Sequence, residues 1–97
     1  MPRERVYQAY LIKRLRQIFQ GAIVLKNDSE YLQGIPDLLI LFNDRWAALE
    51  VKASRTSPKQ PNQVYWIDVM NGMSFAAFIF PENEGEVLDA LQRSFAA

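Results

Sequence analysis

The chain has 97 residues, with 11 basic and 11 acidic side chains for a formal charge of zero, and it contains neither cysteine nor histidine. Those absences exclude a disulfide framework, most zinc chemistry and a histidine general base. The length suits one domain, residues 1–97, that would gain from self-association, and with no membrane-length apolar run and no signal-peptide core the expectation is a cytoplasmic protein.

Val6, Tyr7, Tyr10, Leu11, Leu15, Ile18 and Phe19 recur at helical spacing and predict a helix over about residues 3–20, stopped by Gly21. Lys13, Arg14 and Arg16 take the remaining surface. Glu4 lies one turn before Tyr7 and two before Leu11, at the end of the core-facing stripe. It is either a carboxylate able to reach a neighbouring site or simply the acidic residue that a helix N-terminus favours. Residues 22–27 read as a short strand whose one charge is Lys26. Residues 28–34 form a polar connection bearing Tyr31, and Gly34 allows a close backbone approach before the turn at Pro36.

The stretch from Gly34 to Lys52 organises the rest. It places Asp37 at the head of one apolar run and Glu50-Val51-Lys52 at the tail of the next, with turn formers Asn43, Asp44 and Arg45 between them. A two-residue Asn43-Asp44 turn sets Asp37 opposite Glu50, with Cβ atoms roughly 4.5–5.5 Å apart, close enough for one divalent cation. A turn at Asp44-Arg45 sets Asp37 opposite Lys52 instead. In either register the three groups share a face, because strand side chains alternate. They can form a structural ion pair or a catalytic site. Both runs are so apolar that both strands are expected to be covered on both faces, and charges ending such runs must be paired, metal-bound or in a cleft.

Residues 53–60 form a loop carrying Arg55 and Lys59, beside the Glu-x-Lys and placed to hold substrate. Pro61 opens a helix whose apolar face is Gln63, Trp66, Ile67 and Met70, ended by Asn71-Gly72. A buried amide at Gln63 needs a partner, either backbone or a neighbouring site. Residues 74–80 make a further strand stopped by Pro81. A last helix over about 85–95 presents Val87, Leu88, Leu91 and Phe95. The order helix, three strands, helix, strand, helix is an α/β fold, one mixed β-sheet flanked by helices.

Zero net charge hides an asymmetry. Arg3, Arg5, Lys13, Arg14, Arg16 and Lys26 stand against Glu4 in residues 1–26, whereas Glu82, Glu84, Glu86 and Asp89 stand against Arg93 at the other end. A basic flank of Lys13, Arg14, Lys26, Arg55 and Lys59 beside a carboxylate pair is a layout that attracts phosphodiesters, although it is equally a solvated surface. Without histidine or cysteine, hydrolysis here must run on carboxylates, a lysine and a hard cation. Mg²⁺ suits that donor set and Mn²⁺ should substitute.

The combination of Gly34-Ile35-Pro36-Asp37-Leu38-Leu39, Glu50-Val51-Lys52 and Gln63-x-x-Trp66, in this order of elements, resembles the VRR-NUC (virus-type replication-repair nuclease) family of the PD-(D/E)xK superfamily. The likeness runs from about Glu4 to Phe80. It implies a restriction-endonuclease-like αβββαβα core and a structure-specific DNA endonuclease, with branched or Holliday-junction DNA as substrate in replication, repair or recombination. It further implies a homodimer in a bacterial or phage-infected cell, free in the cytoplasm or at the nucleoid. By the same resemblance Asp37 and Glu50 are metal ligands with the Val51 carbonyl a third, and Glu4 completes the site. Gln63 is the second-helix glutamine, although the loop before it is slightly long and Gln60 lies nearby. Lys52 positions or deprotonates water, or stabilises charge on the phosphate. The competing readings are a non-catalytic nucleic-acid-binding or assembly module that retains the fold, and a purely structural α/β domain. Interface candidates for a dimer are Tyr31, Trp46, Tyr65 and Trp66.

Overall fold

The computed structural model describes residues 2–97. Helix α1 (Pro2–Ile18) leads into strands β1 (Ile23–Lys26), β2 (Leu38–Phe42) and β3 (Arg45–Val51). Helix α2 (Pro61–Met73), strand β4 (Phe75–Ile79), a 3₁₀ turn at Pro81–Asn83 and helix α3 (Glu84–Ala96) complete the order. The four strands make one open mixed sheet in the order β1-β2-β3-β4, antiparallel except for the β3–β4 pair, which is parallel. Helix α2 is the crossover that this parallel pair requires. None of the described helices is long and apolar enough to cross a membrane.

Register is set at the β2–β3 turn. Leu38 pairs with Leu49, Ile40 with Ala47 and Phe42 with Arg45, so Asn43-Asp44 is the two-residue loop. Asn43 has φ 56° and is the one non-glycine at positive φ among the described residues, the sign pattern of a type II′ turn. The alternative with Asp44-Arg45 at the turn does not occur.

Alternation then assigns the two faces. Leu38, Ile40, Ala47, Leu49, Val51 and Ile79 point to one face and are wholly buried. Over them lie Leu11 and Leu15 of α1 and Val87, Leu88, Leu91 and Phe95 of α3. Phe19, Phe42 and Phe95 close this core in a ring trio, with centroids 5.1–5.5 Å apart. The buried stripe of α1 is narrower than its apolar content suggests. Val6 is 66 % exposed, and Tyr10 lies outside the core with its hydroxyl on Glu84. Glu84 also accepts from Tyr7 and pairs with Arg14 at 3.4 Å, which ties α1 to the start of α3.

The opposite face carries Trp46, Ala48, Glu50, Ala76 and Phe78, and α2 packs on it through Ile67 and Met70. Coverage there is uneven. All of Ala47–Val51 is buried, but α2 does not extend over β1 and β2: Ile23 and Leu25 are exposed, and Leu39 and Leu41 only half-buried. The expectation of strands covered on both faces therefore holds for most of β3 and fails for β2, because one crossover helix is too narrow for a four-stranded sheet.

Candidate active site

The carboxyl ends of β3 and β4 meet the amino end of β2 at one edge of the sheet, the usual position for a site in open α/β structures. Asp37 stands one residue before β2. Its Oδ2 accepts the Val51 backbone N–H at 2.8 Å, and its carbonyl accepts the Asn27 N–H at 2.8 Å, so both neighbouring strands fix it. Glu50 and Lys52 follow on the same face near the end of β3, 4 % and 7 % exposed. Their charged ends lie 3.8 Å apart.

Gln63, in the first turn of α2, joins these groups. Its Oε1 accepts from Lys52 Nζ at 2.8 Å and from the Gln60 N–H at 2.9 Å, while its Nε2 donates to Glu50 Oε2 at 3.0 Å. The amide predicted to need a partner thus has three, and Gln60 contributes its backbone N–H to that network.

Glu50 Oε1 is buried with no hydrogen-bond partner among the described residues. Burial, and next the neighbouring Asp37 carboxylate, push the Glu50 carboxyl up to about 8 against the opposing Lys52 charge. Burial also raises Asp37, against the stabilising Val51 N–H. Glu4 acts on both in the same direction, so its half-buried carboxylate lies within electrostatic reach. It is not gathered with them: no group of three or more His, Cys, Asp or Glu among the described residues is arranged to hold a metal. Val51 engages Asp37 through its N–H. Two hard carboxylates that repel each other, one with an orphan oxygen, are a donor set that would suit a divalent cation.

The sequence-predicted basic residues are dispersed. Lys13 and Arg14 are exposed on α1, and Arg14 is engaged by Glu84. Lys26 pairs with Leu38, at the site end of the sheet but on the opposite face from Asp37. Arg55 lies in the loop after β3, its backbone N–H bonded to Glu82. The Lys59 ammonium sits over Phe78 and Phe80, 4.8 and 5.8 Å from their ring centroids.

Beside Gln63 opens a cleft of about 630 Å³ between the 28–34 loop and the start of α2. Gly34, at φ +85°, brings the loop so close that a Cβ there would lie 2.7 Å from Asn62 Cγ. Sequence reasoning missed this wall; the signal available was the clustering of uncharged amides at Gln33, Gln60, Asn62 and Gln63. No protein-family model matches the chain, and no curated protein or solved structure matches it either.

Proposed function

We propose that this protein is a metal-dependent endodeoxyribonuclease with a restriction-endonuclease-like core of the VRR-NUC kind, acting on branched DNA. The observation that carries the reading is the set of buried Glu50 and Lys52 with half-buried Asp37 and Gln63, drawn together from three parts of the chain, with Glu50 Oε1 unpaired among the described residues. Asp37 and Glu50 would hold the cation, Mg²⁺ or Mn²⁺, which when bound would supply charge neutralisation and water activation. In the reaction a water oxygen bonds to phosphorus and gives up a proton, while the bond from phosphorus to a sugar oxygen breaks and that oxygen takes up a proton to leave as a hydroxyl. Lys52, held by Gln63 beside Glu50, stabilises the charge that builds on the phosphate. Gln63 keeps Lys52 and Glu50 in register with the start of α2, and the Val51 N–H keeps Asp37 aimed at the same point.

The uncovered quadrant of the sheet, with Ile23 and Leu25 exposed beside Leu39 and Leu41, supports a homodimer in which a second copy covers it. Tyr31 and Tyr65 are exposed, Trp46 is half-buried against the chain's own core, and Trp66 is half-buried with its ring edge-on to Tyr65.

The test is cleavage of supercoiled plasmid, linear duplex and a four-way junction with Mg²⁺, Mn²⁺ or EDTA. Metal-dependent cuts that vanish in Asp37→Ala support the enzyme. Junction binding without cleavage in any metal supports the non-catalytic module, and neither binding nor cleavage rejects both.

A further inference from the structure

The cleft beside Gln63 has a chemistry of its own. It is lined by the amide residues Gln33, Gln60 and Asn62, with Ser29 and Tyr31; Glu30 is its one charged residue and is acidic. Such a lining has no cation for a phosphate. It does carry the donors and acceptors, in pairs on planar amides, that read the edge of a heteroaromatic ring.

Four further features point the same way. The cleft's volume lies within the range of small-molecule pockets, roughly 300–1,000 Å³. Its floor is fixed, because the loop rests on Asn62 at Gly34 with no room for a side chain, and the Asp28 carboxylate accepts the Glu30 N–H to hold the loop's start. Tyr31 is 89 % exposed, an aromatic ring packed on almost nothing at the rim. Exposed aromatic rings beside a nucleic-acid path serve as stacking platforms for unpaired bases. Gln63 is shared: one wall of the cleft is the side chain that bonds Glu50 and Lys52.

We propose that this cleft is a nucleobase subsite, which takes one unpaired base of the strand whose backbone passes the Asp37–Glu50 pair, stacked on Tyr31 and read by Asn62 and Gln33. It rests on the nuclease reading above and adds to it a preference for strands with an unstacked base. A fully paired duplex would leave the subsite empty, whereas a bulge, a loop or the open centre of a junction would fill it.

The experiment measures binding by fluorescence anisotropy, with Ca²⁺ in place of Mg²⁺ and the full chain. Two duplexes are compared, identical except that a one-nucleotide bulge carries adenine in one and an abasic sugar in the other. The wild type is expected to bind the adenine bulge at least about fivefold tighter. Tyr31→Ala should erase that ratio and Tyr31→Phe keep it. Because Tyr31 is exposed, neither substitution should move the melting temperature appreciably. Equal binding of the two duplexes by the wild type, or a ratio that survives in Tyr31→Ala, overturns the subsite. If both duplexes bind and are cut in Mg²⁺ but are not distinguished, this inference alone falls. If neither is bound or cut, the nuclease reading falls with it.

Discussion

Gln63 donates from Nε2 to Glu50 Oε2 at 3.0 Å while its Oε1 receives the Lys52 ammonium at 2.8 Å, so a single neutral amide separates a buried acid from a buried base. Removing it takes a hydrogen bond from each and leaves only the 3.8 Å ion pair between them. Gln63→Ala should therefore cost about 1–3 kcal/mol of stability in urea unfolding, the usual penalty for unsatisfied buried groups. Metal-dependent cleavage should fall about 10–100-fold, as it does when a group that orients ligands is lost. An unchanged cleavage rate would place Gln63 outside the chemistry.

The Glu50 carboxyl, raised to about 8 by burial and by Asp37, makes stability depend on pH with a definite sign. Between the ordinary 4.5 and about 8 the folded protein holds a proton that the unfolded chain releases. Stability of the metal-free protein should then be greatest at low pH within this window and decline as pH rises through it, with raised Asp37 acting in the same direction. Melting temperatures at pH 5.5 and 8.5 in EDTA should differ in that order, and Glu50→Gln should shrink the difference. A profile that rises from 5.5 to 8.5 would contradict the geometry.

A cation that binds the two carboxylates only in the folded state must stabilise the fold by mass action, by about 2.7 kcal/mol at a hundredfold excess over Kd. Mg²⁺ or Mn²⁺ should raise the melting temperature of the wild type at pH 8. In Asp37→Asn and Glu50→Gln the shift should be lost. This readout needs no substrate, so it separates metal binding from catalysis.

Two glycines at positive φ make a controlled comparison. Gly21, at φ +92°, has open space where a Cβ would go, whereas at Gly34 a Cβ would meet Asn62. Gly21→Ala should cost about 1–2 kcal/mol, the strain of a left-handed residue. Gly34→Ala should cost more, because the 28–34 loop must also lift from α2, and it should alter the cleft. Equal losses in the two variants, measured by urea unfolding, would mean that the loop yields freely.

Much of the fold was legible because local signals agreed with one another. Asn43, Asp44 and Arg45 between two apolar runs specified a hairpin but left two registers open, of which the structure has the Asn43-Asp44 one, and Pro61 and Pro81 marked boundaries that the elements respect. The errors arose where distant parts of the chain decide. Tyr10 matches the helical period, but Glu84, 74 residues away, offers its hydroxyl a hydrogen bond outside the core. No local pattern reveals that α2 is too narrow to cover β1 and β2; the residue type at Gly34 predicts a close approach, but not that Asn62 is what it meets. For the candidate site, residue types and spacing named the groups, whereas the Gln63 bridge and the orphan oxygen of Glu50 emerge only from packing.

The two-residue turn at Asn43-Asp44 also constrains how the chain can change in length. One extra residue there, if no bulge absorbed it, would turn β3 over, sending Glu50 and Lys52 into the α1–α3 core and Leu49 and Val51 outward. Two extra residues would lengthen the hairpin and leave every side chain on its own face. The tip of this hairpin lies at the opposite end of β3 from the carboxylates, yet it governs them by parity: a paired insertion keeps every face, and a single one does so only where a bulged turn absorbs it.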